Sequence, residues 1–500
     1  MGRYDKYSWA TPPAPVAESE IKRDLTADVV IIGSGISGIA SAVSCAEHGL
    51  DVIVIEKGPV SVGHGHHFGV SNCRFMRERG YVNNIYDLKR EFLRATSYRV
   101  NEDVLMSYLA HSEPAMDWLC DKADARGISY TMNAACYKGN AYTEFPGTIM
   151  FSCGADGVVK MLCDEAQKLG VKVIYNTPAE QLIKEDGRVT GVIAKNAEGY
   201  IRLRGTKGVV LATGDISGNE EMTRDLAPQA FNAVNARYTP VGMNTGDGHR
   251  MGVWAGGIMQ ETPFPCILHT TAFSTNVFFY LAVNQKGKRY MNEDAGPQNK
   301  SCYTWNQDPK HPWGFAIFDS KWPGEVRDSL AYGGGLMWDC LEHDIDHPFD
   351  TEWVRVPLEK NIADGKVAWR ADTLEELADK IGVPRDVFLA TVARYNEIVH
   401  SGVDTDYGKR HELLTPINKP PYYATKFGAS LLVITAGLEI DQLLRVLNED
   451  REPIPGLYAV GQASGSIYAV DYPLTIPGND LGRCVTWGYL IGGILAGEKA

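Results

Sequence analysis

Gly33, Gly35 and Gly38 follow an apolar strand in the run Asp-Val-Val-Ile-Ile-Gly-Ser-Gly-Ile-Ser-Gly at residues 28–38. A helical stretch continues to about Gly49, and a second apolar strand, Val52 to Ile55, ends at Glu56. Each part has a physical job in holding a dinucleotide. Gly33 permits the tight turn, Gly35 lets the backbone approach a pyrophosphate, and Gly38 lets helix and strand lie close together. The helix N-terminus points N–H groups at the phosphates. Glu56 is placed to accept hydrogen bonds from a ribose diol, with Ser34, Ile36, Ser37 and Lys57 as neighbouring contacts.

Later segments suit a flavin better than a nicotinamide. The run LATGD at 211–215 puts Ala212, Thr213 and Gly214 just after a buried strand. The run NTGDG at 244–248 puts Asp247 in a tight turn at the start of an apolar helix, and Gly461 ends another strand. Phe68, Gly69 and Ala179 are expected to add further contacts. The last helix begins within IPGNDLGRCVTWGY at 476–489, around Gly478, Asn479 and Leu481. Its first N–H groups can meet the O2 edge of a flavin ring and stabilise the negative charge that gathers there on reduction. The expected cofactor is FAD. His64, His66 and His67 lie in the loop after Glu56, but a plain loop is expected there rather than a covalent flavin link.

These residues need elements to position them. The strand–turn–helix–strand unit covers about 25–60, and residues 1–24 look like an extended arm. Apolar residues at helical spacing (Leu88, Phe92, Leu105, Tyr108, Leu109, Trp118) predict helices over 84–126, and another is expected at 155–170. Short strands are expected at 171–175, 190–194 and 208–212. From about 270 to 415 the chain becomes loop-rich and carries six of the ten tryptophans (305, 313, 322, 338, 353, 369), which reads as an inserted cap with a helical piece near 373–400. The fold class is α/β: a two-part Rossmann-like dinucleotide domain with an inserted α+β cap. The expected boundaries are 25–268 and 419–500 for the two parts and 269–418 for the cap.

Five hundred residues allow a large core and more than one domain. The net charge of −13 argues against nucleic acid or an anionic membrane as main partner. No apolar run approaches ~20 residues, and the polar, proline-bearing N-terminus has no signal core, so a cytoplasmic location is expected. The ten cysteines form no Cys-x-x-Cys pair, which removes the usual zinc, haem and iron–sulfur patterns and favours buried thiols. His343 and His347 in LEHDIDHP are spaced like helical metal ligands, but Pro348 and the mixed acids suggest a solvated loop, so no metal is expected.

On VVIIGSGISG…VIVIEK, LATGD, NTGDGHRMG, VNQKGKRYMNED, GLYAVGQASG and PGNDLGR, the chain resembles the fumarate-reductase/succinate-dehydrogenase flavoprotein superfamily, which includes the 3-ketosteroid dehydrogenases. The resemblance covers nearly all of 25–500. It implies FAD, a mobile cap between the halves of the FAD domain, and hydride transfer between flavin N5 and a carbon of a C–C/C=C bond.

The chain departs from the superfamily where a dicarboxylate would be held. Pro297 stands at the protonating arginine, Thr475 at the carboxylate-binding arginine, and Val433 and Ile434 near a substrate histidine. A buried carboxylate without a partner costs several kcal/mol, so fumarate is not the expected substrate. The ketosteroid branch implies a tyrosine and a glycine N–H that polarise a ketone. Tyr472-Pro473 and Gly478 match that pattern with a longer turn, while the branch's proton-transferring tyrosine is again replaced by Pro297.

Tyr472 is therefore expected to bind a substrate carbonyl or exchange its proton, with a phenol pKa lowered by the flavin and helix terminus, and with Gly478 assisting. The plainer reading is a core tyrosine with a satisfied hydroxyl. Arg483, a cation in the first turn of the last helix, calls for a specific anionic or carbonyl partner. His269, Tyr280 and Tyr303 are lesser candidates for proton transfer. The reading is an FAD-dependent oxidoreductase on a neutral, cyclic substrate such as a steroid-like or aromatic enone, with a separate electron donor or acceptor. A flavin oxidase or hydroxylase, and an electron-transfer subunit, are the alternatives. Reoxidation in air separates the first, and the tryptophan-rich cap argues against the second.

Overall fold

The computed structural model describes residues 3–133, 145–236, 242–274, 277–308, 310–332 and 351–498, without the Trp353 side chain. His343, His347, Cys136, Cys340 and Trp338 lie outside the described residues.

The strand Ile21–Ile32 runs parallel to Val52–Ile55 on one side and to Gly199–Leu211 on the other. Its last four residues are buried on both faces, as the unbroken Val-Val-Ile-Ile run requires. The sheet continues through Lys172–Ile174 at one edge and Pro453–Ala459 and Arg445–Leu447 at the other. Pro453–Ala459 pairs in parallel with Gly199–Leu211, so the C-terminal segment rejoins the sheet started by the N-terminal one. An antiparallel pair, Ala179–Glu185 with Arg188–Asn196, extends from Gly199–Leu211.

The helix Ile36–Glu47 follows the glycine turn, and the terminal helix Asn479–Ala496 lies along it. Gly488 and Gly492 allow this approach: a Cβ at either would collide with Ala40 or Ser44. That contact brings the start of the terminal helix beside the glycine turn. The region 84–126 forms two helices, Ile85–Ala95 and Glu102–Asp124, each capped by an asparagine side chain (Asn84 and Asn101).

The cap is a four-stranded sheet in the order Leu281–Val283, Trp313–Asp319, Tyr422–Gly428, Ala368–Ala371. The helices Leu374–Ile381 and Arg385–Ser401 cover it. Its strand Tyr422–Gly428 runs past the expected boundary at 418. The N-terminal arm is not free either. Trp9 is buried and its indole N–H donates to Asp225 at 2.9 Å, the Tyr4 hydroxyl accepts the Met259 N–H at 2.6 Å, and residues 21–24 belong to the first strand. Of the eight described cysteines, none is disulfide-bonded and five are buried, but Cys153 is exposed.

Candidate active site

A cavity of about 1310 Å³ opens along the glycine turn, the start of the terminal helix and the strand that leads to the cap. It exceeds the ~300–1,000 Å³ of drug-sized pockets, which leaves room for a dinucleotide and a second molecule. Among the described residues, no group of three His, Cys, Asp or Glu side chains could hold a metal, and no helix is long and apolar enough to cross a membrane.

At one end the backbone is shaped to admit a phosphate-bearing ligand. Gly33 has φ +102°, and a Cβ there would strike the Ala212 carbonyl. A Cβ on Gly38 would strike the Gly33 carbonyl, so that glycine serves helix–strand contact beneath the cavity. Gly35, in contrast, has nothing within 4 Å of a built Cβ and lines the cavity at the helix N-terminus. The space in front of Gly35 is what a pyrophosphate needs.

Glu56 also lines the cavity. Its carboxylate accepts the Ser34 N–H at 2.8 Å and the Gly58 N–H at 2.7 Å, which fixes its direction. Lys57 Nζ lies 2.8 Å from Asp247, and Arg250 lies 2.6 Å from the other Asp247 oxygen. Burial opposes the Asp247 charge, but these cations hold its carboxyl below the usual range. Ile36, Ser37, Ala179, Ala212, Thr213 and Gly214 complete this wall. These residues fit the adenosine and pyrophosphate half of FAD.

Elsewhere on the wall stand Gly478, Leu481, Tyr472, His269 and the apolar Ile267, Leu432, Val433 and Leu474. Tyr472 is 4% exposed, and its hydroxyl oxygen accepts the Asp480 N–H at 3.2 Å. Among the described residues no acceptor is placed for its hydrogen, so the group is available as a donor toward the cavity. Burial, and then the nearby Asp480 charge, push the Tyr472 phenol well above its ordinary pKa. The expected lowering is therefore overturned. The phenol stays protonated at neutral pH because ionising it would bury a second negative charge beside a carboxylate.

The terminal helix offers fewer free N–H groups than expected. That of Asn479 bonds Ile476 O at 3.1 Å, and that of Asp480 bonds Tyr472. Gly478, with φ +77°, lets the chain turn into this helix, and its carbonyl accepts the Gly69 N–H at 2.8 Å.

Other candidates stand back from the cavity. Tyr280 is buried in the cap core with its hydroxyl on Trp322 O at 3.2 Å, and Tyr303 is 47% exposed on the helix Pro297–Gln307. Neither lines the cavity, which corrects their reading as proton-transfer candidates. Arg483 is fully buried behind the wall and pairs with Asp480 at 2.9 Å, so its sought-for partner is a protein carboxylate. Phe68 packs edge-on against Phe151, and Gly69, Ser34, Gly461 and Asn479 also support the wall without lining it. The Asn479 side chain donates to Pro473 O at 2.7 Å and accepts the Tyr468 hydroxyl at 2.6 Å. Pro297 and Thr475 are buried and do not reach the cavity.

His64, His66 and His67 all line the cavity, and burial lowers the His64 pKa. Asn244, Gln462 and Asp480 line it too and were not singled out from sequence. Asp480 carried a usable signal, since Asp and Arg three apart on a helix face each other.

The family described as the FAD binding domain matches residues 28–475. The chain is 28% identical over 490 residues to a fumarate reductase (cytochrome) of Shewanella frigidimarina, covering 95% of this chain and 77% of that one. It is 26% identical over 486 residues to a vinyl phenol reductase of Lactiplantibacillus plantarum, covering 91% and 93%. Its fold matches the 3-ketosteroid-delta4-(5alpha)-dehydrogenase of Rhodococcus jostii RHA1, solved with 4-androstene-3,17-dione, at a TM-score of 0.74 and 22% identity over 97% of this chain and all of that one.

Proposed function

The chain belongs to the FAD-binding-domain family and is an FAD-dependent oxidoreductase acting on CH–CH bonds; from that premise we propose that it takes a neutral, cyclic substrate and reacts at a C–C/C=C bond next to a carbonyl. FAD, when bound, supplies the N5 position that exchanges a hydride with the substrate carbon. Its binding is non-covalent in this reading.

The observation that carries the substrate class is the charge on the wall. Among the described residues no arginine lines the cavity, and the one lysine that does, Lys57, is paired with Asp247. Against the described residues of this wall a dicarboxylate would lose its hydration and gain no free lysine or arginine. Apolar side chains at Ile267, Leu432, Val433 and Leu474 suit a ring and exclude water. A steroid-like or aromatic enone meets these conditions. The name of the vinyl phenol reductase relative denotes a neutral aromatic substrate, which supports the neutral, cyclic part of this reading.

Tyr472, held neutral by burial, donates a hydrogen bond to the substrate carbonyl and stabilises the charge that develops on its oxygen. Gly478 assists from the turn. His269 is a titratable side chain on the same cavity wall and exchanges the one proton that accompanies the hydride. Electrons come from, or go to, a separate protein or a small diffusible carrier.

The test is an anaerobic screen followed by flavin absorbance. Reduced enzyme is mixed with neutral cyclic enones, vinyl phenols and fumarate, and oxidised enzyme with saturated cyclic ketones. Rapid flavin turnover with a neutral cyclic compound and none with fumarate is expected. Turnover with fumarate alone would overturn the substrate reading.

A further inference from the structure

Asp480 brings a carboxylate to the cavity wall beside Tyr472, and it is only 6% exposed. One of its oxygens accepts from Arg483 at 2.9 Å, and the other accepts from the Gln462 side-chain amide. Arg483 lies deeper, with no exposed surface, and is not part of the wall. It also donates to Ser464 O at 3.1 Å and to Gln462 Oε1 at 2.8 Å, and its guanidinium carbon is 5.0 Å from the centre of the Tyr468 ring. The pair is thus oriented. Its negative end reaches the cavity, and its positive end is held in the protein.

This orientation matters for a bound flavin. Reduction gathers negative charge at N1 and O2 of the ring, and fixed charges nearby tune the cofactor. A carboxylate in a dry wall raises the free energy of that added charge, because little water screens it. Arg483 offsets part of the effect but acts from behind. Lys57, the one lysine on the wall among the described residues, is committed to Asp247.

We propose that Asp480, held by Arg483 and Gln462, lowers the reduction potential of FAD in this cavity and so biases the enzyme toward reducing C=C bonds. The bias in direction rests on the CH–CH reaction; the effect on potential concerns FAD alone.

The test is a dye-referenced potentiometric titration of the FAD-loaded protein without substrate, comparing wild type, Asp480→Asn and Asp480→Ser. Asp480→Asn is expected to move the midpoint to a more positive potential. The expected size is at least tenfold in the oxidised-to-reduced equilibrium, about 30 mV for a two-electron couple. Asp480→Ser, which also removes the carboxylate and leaves a smaller side chain, is expected to move it in the same direction. An unchanged or more negative midpoint in Asp480→Asn overturns the proposal. If Asp480→Asn fails to hold FAD, Asp480→Ser decides, and the absence of a positive shift overturns it. A failed substrate screen with the expected shifts would overturn only the substrate reading.

Discussion

The backbone N–H of Asp480 donates to the hydroxyl oxygen of Tyr472 at 3.2 Å. The bond ties the first turn of the terminal helix to the segment before it. It uses the acceptor side of the phenol and leaves its proton for the cavity. Burial keeps that proton in place. Tyr472 is built as a donor, and a role as base would require it to lose the proton the site protects.

Replacing Tyr472 with Phe should lower kcat on the order of 10²-fold, the scale seen for one lost oxyanion donor. The variant should keep its flavin, read from the visible spectrum. Steady-state rates at equal FAD content check this, and wild-type turnover would remove Tyr472 from the reaction. In wild type, kcat should show no ionisation limb from this phenol below about pH 10.

Gly35 and Gly33 separate cofactor binding from folding. A methyl on Gly35 meets no protein atom within 4 Å, so Gly35→Ala should fold with stability within about 1 kcal/mol of wild type in the absence of FAD and bind FAD much more weakly. Gly33→Ala collides with the Ala212 carbonyl at a left-handed φ and should destabilise the flavin-free protein as well. Thermal melts with and without FAD distinguish the two.

His249 sets a pH window for stability. It is fully buried, donates to Ala436 O at 3.0 Å, and burial lowers its pKa to about 4 from 6.5. Between those values the unfolded chain binds the proton that the folded chain refuses. The neutral imidazole's contribution is complete above pH 6.5 and is lost as pH falls toward 4, at most about 3 kcal/mol. His249→Gln keeps a donor and should flatten the fall in melting temperature between pH 6.5 and 4. A slope equal to that of wild type would show that His249 does not cause it.

Acid precipitation should leave the flavin in the supernatant. His64, His66 and His67 are all on the cavity wall, so the result tests directly whether any of them carries the cofactor. Yellow colour retained in the washed pellet would establish a covalent link.

The cofactor end was legible in sequence because its code is local. Gly33, Gly35, Gly38 and Glu56 lie within one strand–turn–helix–strand unit, so their places follow from neighbouring residues. The helices at Ile85–Ala95 and Glu102–Asp124 were legible for the same reason, since periodicity records a buried face. Tyr280 and Tyr303 misled because side-chain type says nothing of direction. One turned into the cap core and the other to solvent.

The chain's own order determined a dinucleotide fold, its cofactor half and an inserted cap, since turns, strands and helix termini follow from neighbouring residues. Tertiary structure alone decided the chemistry of the wall. It set Tyr472 as a protected donor, Arg483 as a buried counter-charge and Asp480 as a carboxylate that reaches the cavity beside Tyr472. Their burial and protonation depend on segments from both ends of the chain being folded around one cavity, where low dielectric makes each charge answer to its neighbours.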